Sequence, residues 1–117
     1  MRKIYRYRDL SFPVADNENV VLTVEFVSDG NIVHTFINIP GNNDPEIQDE
    51  GTAFLGQGKD LRNETTISVS DIANPIPAED TITIRYKING QLLIEHSNPK
   101  TETEQPFVIL FIKFPKA

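Results

Sequence analysis

Along most of the chain apolar and polar residues alternate one for one, the period of an extended strand with one face buried. The plainest case runs from residue 20 to 39, where segments 20–28 and 31–39 flank Asp29-Gly30, a dipeptide favoured in two-residue type I′ hairpin turns. Counting outward from that turn sets Phe26 against Val33, Val24 against Thr35, Leu22 against Ile37 and Val20 against Ile39, giving one almost wholly apolar face. The opposite face sets Glu25 against His34 and Thr23 against Phe36. A second hairpin is predicted from 81–87 to 91–97 around Asn89-Gly90. A two-residue turn there opposes Ile84 to Glu95 and Ile82 to Ser97. The pattern therefore favours a three-residue loop, Ile88-Asn89-Gly90, with Gly90 left-handed in a bulge, so that Tyr86 meets Leu92, Ile84 meets Ile94 and Ile82 meets His96.

Three further strands are expected over 3–10, 65–71 and 107–114. In the first, Tyr5 and Tyr7 share one side and Arg6 and Arg8 the other. The last reads Phe-Val-Ile-Leu-Phe-Ile without alternation. A sandwich strand buries one face in its own core, so the second face, with Phe107, Ile109 and Phe111, calls for a cover: the long segment 40–64 folded back over it, or another protein chain. No helical period of useful length appears; a turn or two over 45–50, with Asp44 as N-cap and Pro45 at the first helical position, is the one helical candidate. Residues 40–64 read as a long loop anchored by Phe54 and Leu55. The expectation is a single all-β domain over 1–117, an antiparallel β-sandwich of about seven strands, like immunoglobulin-like or C2-like domains in strand count and turn spacing alone.

Composition supports this and removes several chemistries. At 117 residues the chain has the length of one domain, and folding at that size buries roughly 60–70% of the unfolded surface. The absence of cysteine excludes disulfides, thiolate metal sites and cysteine nucleophiles. Residues 1–10 alternate charged and aromatic side chains with no apolar run of signal-peptide length, and nothing approaches the ~20 apolar residues of a membrane span. That reads as a soluble chain and favours the cytoplasm.

The net charge of −6 argues against nucleic acid or an anionic membrane as partner. Its distribution is uneven: residues 1–10 carry four basic and one acidic group, 11–84 two and thirteen, 85–117 five and three. Solvated surface and protected strand edges account for this in the ordinary way. The sharper reading is a pair of complementary surfaces that meet between copies or on a partner.

Candidate chemistry is sparse. Gly56-Gln57-Gly58-Lys59 resembles a phosphate loop only superficially, since Ala53 stands where the first glycine belongs and Asp60 follows the lysine; its glycines read as turn residues in close backbone approach. If strands run up and down in order, Asp16 and Glu18 come near Asp44, Glu46, Asp49 and Glu50, with Asn17, Asn42 and Asn43 beside them, as a calcium cup of loop oxygens. His34 is expected outward, and His96 inward and hydrogen-bonded; a shared zinc site would need them adjacent with further ligands. No Gly-x-Ser-x-Gly elbow is present, and Asn63-Glu64-Thr65 is a formal glycosylation sequon that discriminates little.

The function expected is therefore a non-enzymatic interaction or assembly module without a cofactor, binding a protein partner or itself through Phe107, Ile109, Phe111, Arg6, Arg8 and Phe36. The alternatives are calcium-dependent carbohydrate or lipid binding at the acidic loops, and an inhibitor or immunity-type protein that masks a basic site.

Overall fold

Period-two alternation resolves into nine strands in two packed sheets in the computed structural model, which describes residues 2–27, 32–39, 45–62, 64–73, 80–103 and 105–117. In chain order these are β1 (Arg2–Ser11), β2 (Asn19–Phe26), β3 (Ile32–Asn38), β4 (Glu46–Gln48), β5 (Gly51–Gln57), the single-turn helix α1 (Gly58–Leu61), β6 (Thr66–Ala73), β7 (Thr81–Ile88), β8 (Gln91–Pro99) and β9 (Gln105–Lys113). One sheet has the order β1-β9-β6-β3-β4 and the other β5-β2-β7-β8. The all-β sandwich is thus present, with nine strands among the described residues where about seven were expected. Every pair is antiparallel except β1 with β9. That parallel seam continues past the strands, where Phe12 N–H donates to Lys113 O and Val14 N–H to Pro115 O, both at 2.9 Å.

The core lies between the sheets and is filled by the inward set of each strand. Val20, Leu22 and Val24 come from β2, Val33 and Ile37 from β3, Ile82, Ile84, Tyr86 and Ile88 from β7, and Val108, Leu110 and Ile112 from β9, all at 2% exposure or less. Each such side chain stabilises the fold by about 1.5–3 kcal/mol relative to solvent exposure.

The sorting into inside and outside agrees with the alternation, but the first hairpin does not form. β2 pairs with β5 and β7, while β3 pairs with β4 and β6 in the other sheet. The apolar faces of β2 and β3 therefore look at one another across the core instead of lying side by side. Glu25 stands opposite Arg85, not His34, and Thr23 opposite Thr52 and Lys87, not Phe36. Asp29 and Gly30 lie outside the described residues.

The second hairpin forms with a different register. Asn89 (φ 51°) and Gly90 (φ 80°) are both left-handed, as a two-residue type I′ turn requires. Asn89 is held there by β2: its N–H donates to Val21 O, and its Oδ1 accepts from Val21 N–H at 2.9 Å. The extra residue sits further along, at Leu93, between the pairs Lys87↔Leu92 and Tyr86↔Ile94. Ile84 then meets His96 and Ile82 meets Asn98, a shift of two from the expected pairing that keeps the same face inward.

The described part of segment 40–64 is not a loop. It supplies β4, β5 and α1, and residues 46–48 are strand where a helical turn was expected. Leu55 is buried as an anchor, but Phe54 is 58% exposed because β5 turns Ala53 and Leu55 inward. Asp44, the expected N-cap, lies outside the described residues. Of the two glycines read as turn residues in close approach, Gly58 alone is so placed, a Cβ there standing 2.2 Å from Ala15 O, whereas Gly56 lies within β5 at φ 138° with no contact under 3.7 Å.

Candidate functional site

The two outer faces of the sandwich differ in composition. On the four-stranded sheet many outward residues pair as opposite charges and hydroxyls, Lys87 with Glu25, Arg85 with Glu95 at 3.1 Å, and Thr83 with Ser97 at 3.0 Å. Exposed apolar side chains stand among them, Leu92 of β8, and Phe54 of β5 opposite Val21.

The outer face of the five-stranded sheet carries a larger set of apolar side chains. β9, the strand without alternation, is second in the sheet order and sends Val108, Leu110 and Ile112 inward, leaving Phe107, Ile109 and Phe111 outward and half-buried. Around them stand Ile4 of β1 (44% exposed), Ile67 and Val69 of β6 and Phe36 of β3 (48% exposed). Neither β4 nor β5 covers this surface, for β4 extends its edge and β5 joins the other sheet, so the expected cover by 40–64 is not made by the described residues. A shallow groove of about 330 Å³ opens between Phe36, Asn38, Pro45, Glu46, Ile67 and Val69.

The backbone registers align side chains of this face in a row across all five strands. Arg6 is opposite Ile109, Ile109 opposite Val69, Val69 opposite Phe36, and Phe36 opposite Glu46. A cation begins the row, three apolar side chains fill it and a carboxylate ends it. Next to it runs Ile4–Phe107–Asp71–His34–Gln48. Arg8, beside the bulge where Asp9 adopts φ 63°, lies over the Phe111 ring with its guanidinium carbon 5.1 Å from the centroid. His34 stacks at 4.3 Å on Phe36 and hydrogen-bonds Glu46. The six residues singled out for interaction, Phe107, Ile109, Phe111, Arg6, Arg8 and Phe36, therefore share one face.

Polarity alone misplaces Ile67 and Val69. Read as Thr-Ile-Ser-Val-Ser, 66–70 would by hydrophobicity bury its isoleucine and valine. The structure does the reverse and buries Thr66, Ser68 and Ser70 while Ile67 and Val69 face outward. The far end of β6 sets that parity, because Ile72 points into the core and Asp71 away from it, and a one-residue slip would bury a carboxylate. Ser70 accepts from Tyr86 Oη and shares a hydrogen bond with Thr35, both at 2.8 Å, whereas Thr66 Oγ1 and Ser68 Oγ have no partner among the described residues.

The acidic residues proposed for calcium do not converge. Asp16 pairs with Arg62, which pulls its carboxyl below the usual carboxylate range, and Glu18 accepts from Ala15 N–H and Asn89 Nδ2. Both lie near the Gln57 end of β5, since Gly58 N–H donates to Glu18 O and Lys59 N–H to Asp16 O. Glu46 binds His34, Asp49 accepts from Val33 N–H, and Glu50 precedes the Gly51 end of the same strand. Six residue steps of β5, about 20 Å, separate the two groups. Asp44 lies outside the described residues, and among the described residues no three His, Asp or Glu side chains are grouped to hold a metal ion.

His96 is inward and fully buried, in a network with the aromatic side of β1. Asn98 gives its amide hydrogens to Pro99 O and Thr103 O, so its Oδ1 accepts from His96 Nε2–H at 2.8 Å, and the free Nδ1 accepts from Tyr7 Oη at 2.6 Å. Burial lowers the His96 pKa, and Tyr5, donating to Glu102 beside Lys3, is pushed up to about 12, by burial first. This network ties β1 to β8 across the sandwich. His34 and His96 sit on opposite sides of the five-stranded sheet, outward and inward, and cannot share a metal.

No family model, curated protein or solved structure matches the chain. Among the described residues no helix is long and apolar enough to cross a membrane.

Proposed function

We propose that the protein is a non-enzymatic interaction module whose working surface is the outer face of the five-stranded sheet. One observation carries the reading: Ile109, Val69 and Phe36 form a continuous apolar band on a solvent face, built partly by a strand that turns hydroxyls into the core. An apolar surface of several hundred Å² on a small domain is characteristic of a contact with another molecule. The flanking Arg6 and Glu46 give that band a charged rim at either side, the arrangement of a protein-binding patch with an apolar centre.

The test is stability. Ile109→Thr with Val69→Thr keeps β-branched side chains while removing apolar surface. If the face is open in the single chain, the thermal midpoint at micromolar protein moves by no more than about 2 °C, as for other surface changes. A fall of about 8 °C or more that is the same at every protein concentration would mean that the chain covers these residues itself, and the reading would fail.

A further inference from the structure

The row Arg6–Ile109–Val69–Phe36–Glu46 is complementary to its own reverse. Rotation by 180° about an axis lying along β6, the middle strand, and in the plane of contact exchanges the two ends of the row. The cation of one copy then stands over the carboxylate of the other, twice by symmetry, with the apolar residues against each other between them. The other face-to-face two-fold, with its axis across the strands, would set β1 on β1 and bring Arg6 and Arg8 against their own copies. The first arrangement also brings Asp71 of β6, which faces outward beside the axis, toward its own copy, so the preference for it rests on two Arg6–Glu46 contacts outweighing that one like-charge approach.

The groove fits the same arrangement. Its lining of Phe36, Pro45, Ile67 and Val69 ends at Glu46, so an arginine can lay its methylene stem on an apolar floor, stack its guanidinium near an aromatic ring and meet a carboxylate. Arg6 is exposed and makes no ion pair among the described residues. Five strands at the usual spacing and eight residues of length present about 600 Å² per copy, or about 1,200 Å² in all, the lower end of a specific interface.

Resting on the outer face being the working surface, we infer that its occupant is a second copy of this chain, docked about a two-fold axis along the strands with Arg6 of each copy on Glu46 of the other. The sheets cross at about 30°, the usual angle for aligned sheets, which displaces the strand ends more than the central row.

Light scattering of the full chain at about 0.1 mM and low salt tests this, with an expected mass of twice 13.2 kDa and dissociation favoured by added salt. Arg6→Glu or Glu46→Arg alone places like charges together at both ends and raises the dimer dissociation constant by at least about 100-fold. The double reversal, Arg6→Glu with Glu46→Arg, restores the dimer. Should a reversal variant lose its fold by circular dichroism, Arg6→Gln and Glu46→Gln replace it, with the same direction expected. A single-chain mass for the unaltered protein overturns the self-pairing and leaves the outer-face reading to its own unfolding test. A dimer indifferent to both single reversals, or a double reversal that stays monomeric, also overturns it. A dimer that survives Ile109→Thr with Val69→Thr overturns the self-pairing as well, because the contact then lies elsewhere, and the outer-face reading again stands or falls by its unfolding test.

Discussion

Replacing Gly58 with alanine adds one methyl group where helix propensity alone predicts a gain of up to about 1 kcal/mol. Gly58 opens α1, and its backbone is in a region that alanine adopts freely. The structure predicts the opposite sign. The added Cβ would lie 2.2 Å from Ala15 O, 3.0 Å from Ala15 C and 2.9 Å from Val14 Cγ2, so backbone must separate from backbone by about 1 Å. That movement strains the bonds that hold α1 on the 14–18 turn, Gly58 N–H to Glu18 O and Lys59 N–H to Asp16 O, each 3.0 Å long.

Overpacking costs about 1–3 kcal/mol and weakening the two hydrogen bonds about 1 more, so a loss of about 2–4 kcal/mol is expected. For a chain of this size that lowers the thermal midpoint by about 8–16 °C. Gly90→Ala is the comparison, because Gly90 has φ +80° and an added methyl group would meet nothing within 4 Å, so only the conformational cost of about 1 kcal/mol applies. Differential scanning calorimetry of the two variants decides the matter. Equal shifts, or a midpoint for Gly58→Ala within about 2 °C of the parent, would refute the steric argument.

Three further outcomes are expected of the buried polar groups. Thr66→Val removes a buried hydroxyl without a partner among the described residues while keeping its shape, and should raise stability by about 1 kcal/mol in urea titration; a loss would mean that the hydroxyl is satisfied. His96, with its pKa lowered by burial, binds its proton in the unfolded chain first, so its contribution is complete above the unfolded value of about 6.5 and declines as pH falls through the lowered folded value. The urea midpoint should drop as pH falls below about 6.5, and this step should be missing in His96→Gln; an identical step in both would assign it to another group. Arg62→Met removes donors to Val14 O and Phe114 O, both at 3.0 Å, and should lower stability by about 2 kcal/mol in the same assay, more than Asp16→Asn, which removes only the exposed partner.

Alternation states which side of a strand is buried and is silent about which strand lies beside it. Val20, Leu22, Val24, Val33 and Ile37 are legible as core residues for that reason, and all are buried. The strand neighbours of β2 and β3 are not, because two apolar faces satisfy the same pattern whether adjacent in one sheet or opposed across two. The favoured dipeptide at Asp29-Gly30 points toward adjacency, yet hydrogen bonding to β5, β7, β4 and β6 outweighs any single turn preference. At Asn89-Gly90 the chain forms the two-residue turn that the pattern argued against, with Ile88 still in the strand, because the bulge that reconciles turn and pattern lies at Leu93 and nothing in Leu92-Leu93 marks which leucine is the bulged residue. The strand order parts Asp16 and Glu18 from Glu46 and Asp49, which the calcium cup needs together.

What makes the outer face partly legible is redundancy of apolar residues in β9, more than one core can use. Its partners on β6 are hidden, because Thr66, Ser68 and Ser70 occupy the inward sites that hydrophobicity would assign to Ile67 and Val69. Glu46 reads in the sequence as one oxygen among loop ligands; its position becomes meaningful only through the register that puts it level with Phe36. On the proposed self-pairing, the same register gives the charge a role beyond solvation. Opposite charges on the four-stranded sheet neutralise one another across adjacent strands, Lys87 with Glu25 and Arg85 with Glu95. On the five-stranded sheet Arg6 and Glu46 are held four strands apart, about 19 Å, too far to pair within one chain and far beyond the screening length of physiological salt. Only a second surface carrying the opposite sequence of charges can bring such ends into contact, and this chain itself carries one.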